Sequence, residues 1–459
     1  MLEHDPNKRQ FDDPAGAPFA WTPGADIVAQ SNLVAFMRHV GVADWDALQA
    51  RADADPAGLT GAVLDFCDFR FYRPYSQLMD ASRGIAATDW CVGGTTSIVL
   101  NCLDRHRGTP CWDHTFLVWE GEDPAQRRSL SYREFDAEVA RLTGALNDLG
   151  IGRGDVVGLF MPNLPETFVA FFAVLKLGAV LMPLFSGFGP QPLVTRLHDG
   201  PAKAVITADG TWRRGQPVAM KAVLDEALAE LPEVLHVVVL RRLGEALAAP
   251  MQPGRDHDWA TLVATQPPER ETAEMAAEAP AILLYTSGTT GRPKGCVWTH
   301  VSFLASMVTR DAHICADFKP DDRYFFMSDI GWMVGAMCAC IPSYFGASLL
   351  VAEGVPDYPD AGRLWRLVAD HRVSYLGVSP TLVRTMMRHG TAGLEGRDLS
   401  ALRITTSGGE AWTDAPWWWF FEHVCRRRVP ILNICGGTEV GGCNVTGTVL
   451  HVNGGIRMD

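Results

Sequence analysis

An α/β protein built on two parallel sheets is what this 459-residue sequence predicts. From Ser131 onward, short apolar runs of strand length alternate with stretches of helical periodicity. A loop rich in glycine and hydroxyl side chains, Tyr285 to Gly295 (YTSGTTGRPKG), directly follows one of those runs. Strand, helix, strand in repetition means parallel strands joined by helical crossovers, and open α/β sheets bind ligands at the carboxyl ends of their strands.

The first hundred or so residues read as helix and loop. The first regular helix starts at Ser131, where Glu134 completes a capping box. Phe135, Val139, Leu142, Leu146 and Leu149 then recur at helical spacing until Gly150. Strand-like runs follow at 156–161, 180–184, 204–207, 237–240, 281–285, 324–327, 348–351, 373–378 and 402–406. An acidic link containing Pro and Ala, 266–280, separates two sheet units. The expected organisation is an extension at 1–109, a first α/β unit at 110–280 and a second at 281–459 that carries the ligand sites. Residues 330–352 lack any charge, yet Gly331, Gly335, Pro342 and Gly346 interrupt them. A buried helix, a turn and a strand are expected there, with Pro342 breaking the helix, in preference to a membrane span.

Composition excludes several classes. With 47% hydrophobic and 20% charged residues the chain is globular, and at a formal charge of −13 it has no basic stripe for nucleic acid or anionic lipid. The eleven cysteines follow no framework spacing and suit reduced thiols. Cys338 and Cys340 have no histidine nearby to make a metal site. The first twenty residues contain no apolar signal segment, so a cytoplasmic location is expected. His106 and His300 are read as structural histidines, and Trp417, Trp418 and Trp419 as helix packing.

The loop suits a polyphosphate. Gly288, Gly291 and Gly295 let backbone amides approach an anion, Thr286, Ser287, Thr289 and Thr290 supply hydroxyls, and Lys294 supplies a cation. Spacing excludes the P-loop of ordinary NTPases, because Pro293 stands where that motif needs its second glycine.

The run instead resembles the signature loop of the adenylate-forming superfamily, which includes the acyl-CoA synthetases, luciferases and peptide-synthetase adenylation domains. Leu175 to Ala179 resembles that family's second motif, a helix end whose Gly178 permits tight packing. Asp329-Ile330-Gly331-Trp332 with Gly335 is similar to the segment lining the acyl pocket of acetyl-CoA synthetases. Residues 101–106 and Glu353 to Pro356 resemble the same branch. Gly408-Gly409-Glu410-Ala411 stands in place of the adenine-binding Gly-Glu-Pro turn. Asn433-Ile434-Cys435-Gly436-Gly437-Thr438-Glu439 resembles the motif whose Thr touches phosphate and whose Glu binds magnesium.

The resemblance covers the chain from about Leu33 onward. It implies the large N-terminal domain of the adenylate-forming fold, with two stacked αβα subdomains and a helical N-terminal extension. It also implies ATP, Mg2+ and coenzyme A as cofactor and co-substrates and a small carboxylic acid as partner, and leaves the oligomeric state open. The implied reaction joins carboxylate and ATP into an acyl-adenylate with release of pyrophosphate, then transfers the acyl group to CoA. Thr286, Lys294, Thr438 and Glu439 would carry the first step, with magnesium on Glu439. Gly187, Arg213, Val334 and Asp357 fall where acetyl-CoA synthetases contact CoA, although Gln216 replaces a second arginine.

Trp332, Met333, Val334, Gly408 and Gly436 would line the acid pocket. In acetyl-CoA synthetases a tryptophan occupies the position of Gly436 and a valine that of Gly408. Their loss implies an acid larger than acetate, each buried methylene contributing about 0.8 kcal/mol. The sequence stops before the family's ribose-binding aspartate, hinge and mobile C-terminal domain. A truncated nucleotide- and acyl-binding module without full turnover, or transfer to a carrier-protein thiol, therefore stand as alternatives.

Overall fold

A computed structural model describes residues 20–286 and 291–446; Ser287, Gly288, Thr289 and Thr290 of the loop lie outside the described residues. Two large sheets dominate. The first has strand order Asp256–Asp258, His236–Leu240, Ala202–Ala208, Val156–Phe160, Val180–Pro183, Pro280–Thr286, Lys294–Thr299, parallel throughout except for the last pair. The second runs Gly442–Thr446, Ile431–Gly437, Ile404–Ser407, Tyr375–Val378, Arg323–Phe326, Ser348–Ala352, Thr115–Glu120, Arg127–Ser131. It is parallel in its middle and closed by an antiparallel hairpin at each edge.

The sheets do not follow the expected division at 280/281. The hairpin 115–131 precedes every strand of the first sheet, yet Leu117 pairs with Leu349 in the second. The loop-bearing strand Pro280–Thr286 pairs through Ile282 with Leu181 in the first. The acidic link is thus a connection inside the first sheet, because the hydrophobic strand that follows it completes that sheet. Strands Pro280–Thr286 and Lys294–Thr299, which flank the loop in sequence, both belong to the first sheet.

Local chemistry explains the elements around the site. Helix Tyr132–Asp148 begins with the complete Ser131–Glu134 capping box. Helix Pro165–Lys176 is buried at every position but Glu166 and is followed by Gly178, φ +73°, where an added Cβ would lie 2.5 Å from Met275 Sδ. Residues 333–352 form a buried helix, Met333–Phe345, a left-handed turn at Gly346 and strand Ser348–Ala352. Pro342 does not break that helix. It lies in the last turn, so it disrupts little helix beyond itself, and its carbonyl accepts hydrogen bonds from Tyr132 Oη (3.1 Å) and Ala347 N (2.9 Å). The N-terminal helices dock on the second unit through Asn32, whose amide N–H reaches Asp317 Oδ1 at 2.7 Å and whose side chain donates to Phe318 O at 2.9 Å. Among the described residues no helix is long and apolar enough to cross a membrane, and no cluster of three or more ligating side chains suits a metal.

Candidate functional site

A cavity of about 480 Å³ opens at the carboxyl ends of the second sheet's strands, opposite the end of strand Pro280–Thr286. Of the expected residues it gathers Thr286, Trp332, Met333, Val334, Gly408, Gly409, Ile434, Gly436, Gly437, Thr438 and Glu439. Residues separated by some 150 positions in sequence thus converge on one space. Its wall has two characters. Phe326, Met327, Met333, Val334 and Met337 make an apolar side, while Thr286, Ser379, Thr406, Ser407 and Thr438 supply hydroxyls.

The hydroxyl side is underused within the chain. Among the described residues Thr406 Oγ1 and Ser407 Oγ are buried without a hydrogen-bond partner, and the buried Thr286 hydroxyl has only the Cys296 thiol beside it. Buried polar groups are nearly always satisfied, so two orphans and a weakly engaged hydroxyl on one wall fit a polar ligand or water. Glu439 is the one charged side chain among the described lining residues. It is exposed on a short turn, Thr438–Val440, and makes no hydrogen bond or ion pair among the described residues. A free carboxylate beside hydroxyls is a donor set that suits a hydrated divalent cation.

Helix Leu304–Cys315 and strand Lys294–Thr299 hold that turn in place. Trp298 Nε1 donates to Thr438 O at 2.7 Å while its ring stacks on Phe303 at 4.6 Å. Ser306 Oγ donates to Gly441 O (2.7 Å), and Asp311 Oδ2 accepts from Cys443 N (2.7 Å). Gly441 and Gly409 adopt left-handed backbone, φ +55° and +91°, which glycine tolerates at little cost. Lys294 sits across the hairpin from Thr286, exposed, and like Gly291 it falls outside the cavity lining.

Several expected contributors point elsewhere. Glu410 does not line the cavity: Thr381 N donates to its Oε1 at 2.7 Å and Arg384 pairs with Oε2, so it caps helix Pro380–Met387. Burial raises its pKa, but those two donors outweigh burial and hold the carboxyl below its ordinary value. Ala411, Asn433 and Cys435 also lie outside the lining. Asn433 instead continues the sheet, in register with Ser407.

The two glycines expected to open the acid slot are occupied on their side-chain face by main chain. A Cβ on Gly436 would stand 2.4 Å from Gly442 O and 3.0 Å from Cys443 Cα, and one on Gly408 would stand 3.0 Å from Ile434 O. Close backbone approach, at a bulge between Cys435 and Gly436, takes the space the missing side chains vacate.

Of the four positions expected to contact CoA, Val334 lines the cavity and the other three lie apart from it. Asp357 is engaged by Arg214 (2.8 Å) and His389 (3.3 Å), whereas Arg213 is exposed. Burial of Asp357 works against ionisation, but Arg214 and His389 keep its carboxyl below the usual range. Gly187 is exposed beside the Phe185 ring. His106 and His300 are buried outside the site, each pushed down to about 4 by burial. The lining residues that sequence reasoning missed, Phe326, Met327, Ser328, Met337, Ser379, Thr406 and Ser407, mostly sit at or just past the ends of predicted strands. The rule that ligands collect at strand ends could have found them.

The family model for AMP-binding enzymes matches residues 103–455. The acetyl-coenzyme A synthetase of Salmonella typhi is 36% identical over 394 residues, covering 85% of this chain and 59% of that protein. That of Gemmatimonas aurantiaca is 37% identical over 406 residues (87% and 61%), and that of Stutzerimonas stutzeri 38% over 379 residues (81% and 57%). The chain therefore spans about three-fifths of the length of these curated relatives. Acetoacetyl-CoA synthetase from Streptomyces lividans has the same fold, with a TM-score of 0.86 at 24% identity over 95% of this chain and 67% of that one.

Proposed function

Because the chain belongs to the family of AMP-binding enzymes, we propose that it activates a carboxylic acid as an acyl-adenylate and serves an AMP-forming acyl-CoA ligase reaction. The observation that carries this reading is one cavity in which the hydroxyls of Thr406 and Ser407, unpaired among the described residues, and that of Thr286 face an apolar wall, with Glu439 at its rim. Nucleotide phosphates satisfy the hydroxyls and the acid's tail meets the methionines.

The first half-reaction asks little covalent chemistry of the protein. Attack of a carboxylate on the α-phosphate needs the two reactants held in line and the developing charge neutralised. Thr286 and Thr438 would orient phosphate oxygens, and Lys294, on the strand that returns from the loop, would supply positive charge. A magnesium ion held by Glu439 would supply charge neutralisation between phosphates. In our reading the second half-reaction uses the thiol of CoA.

The acid is proposed to be larger than acetate. Support comes from the apolar wall of Phe326, Met327, Met333, Val334 and Met337, whose flexible methionines adapt to an alkyl or aryl tail. Pyrophosphate release across an acid series, paired with titration of AMP and its alkyl esters, tests both parts. Failure of AMP to bind rejects the adenylate reading. Acetate outperforming butyrate and larger acids rejects the size.

A further inference from the structure

We infer that Ser186, just past a strand of the first sheet and outside the cavity wall, is a positioning residue that fixes the acid-binding wall 332–334 through Asp329. The inference takes its ligand from the acyl-adenylate reading, and its geometry stands independently. Ser186 lies just past strand Val180–Pro183, and its amide N–H lies 3.3 and 3.4 Å from the two Asp329 oxygens while its hydroxyl donates to Oδ2. Asp329 Oδ1 also accepts from Gly331 N at 2.8 Å. One carboxylate therefore ties the end of a first-sheet strand to the turn that starts helix Met333–Phe345 of the second.

A second tie lies one residue away, where Asn163 Nδ2 donates to Ser328 O at 2.8 Å. Between the two, the backbones touch: a Cβ on Gly331 would fall 2.2 Å from Phe185 N and 2.4 Å from Phe185 Cα. The next residue, Trp332, is 51% exposed and rests on the Phe185 ring with centroids 5.5 Å apart. With so little packing on its outer side, the position of this wall is set by the sheet it leans on. Asp329 itself does not line the cavity, and its three donors all come from the chain, so it anchors and does not react. The consequence is that recognition of the acid's tail, the function of the second sheet, depends on a hydroxyl contributed by the first.

The test compares the wild-type 459-residue chain with Ser186→Ala and Ser186→Thr, using AMP and its ethyl and hexyl phosphate esters as probes. Ser186→Ala should leave AMP affinity within about twofold but weaken the hexyl ester about tenfold, and Ser186→Thr should restore it. Amide hydrogen exchange at Gly331 and Trp332 should quicken by about the same factor in Ser186→Ala, with strand Ile404–Ser407 unchanged. An unchanged ratio of hexyl ester to AMP, unchanged exchange at Gly331, or an equal loss for all three ligands would overturn the inference. If wild type binds neither AMP nor its esters, the adenylate reading is what fails, and the exchange result alone decides whether Ser186 holds the wall.

Discussion

Replacing Gly436 by alanine separates two accounts of the cavity. If the glycine faces an empty acid slot, a methyl group there fills space and costs nothing. The structure directs that methyl at Gly442 O, 2.4 Å away, where real contacts stop near 3.0 Å. The strand Gly442–Thr446 must then retreat by about 0.6 Å, and overpacking of this kind costs about 1–3 kcal/mol. The neighbouring Thr438–Glu439 turn is held by the same hairpin, so AMP affinity should fall about tenfold with it. Urea unfolding gives the first quantity and calorimetric titration the second. A variant with wild-type urea midpoint and wild-type AMP affinity would refute the reasoning. So would a folded Gly436→Trp chain that prefers the ethyl to the hexyl ester of AMP, because that result places the side chain in an acid slot.

Three further outcomes are expected. Burial pushes Glu120 up, but donors from His371 (2.9 Å) and Arg366 (2.7 Å), with Arg127 nearby, hold its carboxyl at about 2. A depressed carboxylate stabilises the fold fully above its ordinary value of 4.5 and loses that contribution as pH falls through about 2. Stability by urea unfolding should therefore drop by about 3 kcal/mol over that range, and Glu120→Gln should flatten the slope. Arg242→Ala strands buried Glu353, which keeps only Thr211 and the Trp212 amide among its described donors, and should cost about 3 kcal/mol by the same assay. Trp298→Phe keeps the stack on Phe303 but loses the hydrogen bond to Thr438 O, and magnesium-ATP should bind about fivefold more weakly in a calorimetric titration.

Much of the fold was legible because period and punctuation are local signals. The runs at 156–161, 180–184, 237–240 and 348–351 all became strands, and the Ser131 capping box starts its helix. Hairpin 115–131 escaped notice, since its second strand, Arg127–Ser131, is polar, and its membership of the second sheet depends on partners more than two hundred residues away. The site was legible in its parts: Thr438, Glu439 and the 332–334 segment reach the same cavity as Thr286. What could not be read was direction. A glycine in sequence says that a side chain is missing, and only the fold says that Gly442 stands where it would be. The same limit applies to Arg214, which takes Asp357 while its neighbour Arg213 stays exposed, and to Glu410, which a helix N-terminus claims.

The exchange of hairpins between the sheets has a kinetic consequence. Because Thr115–Glu120 pairs with Ser348–Ala352, more than two hundred residues later in the chain, early-synthesised residues wait for late ones. Neither half can be excised as an autonomous unit, and folding requires closing a loop of over two hundred residues. Two fragments cut near residue 280 should be insoluble when made separately and recover native spectra only when refolded together.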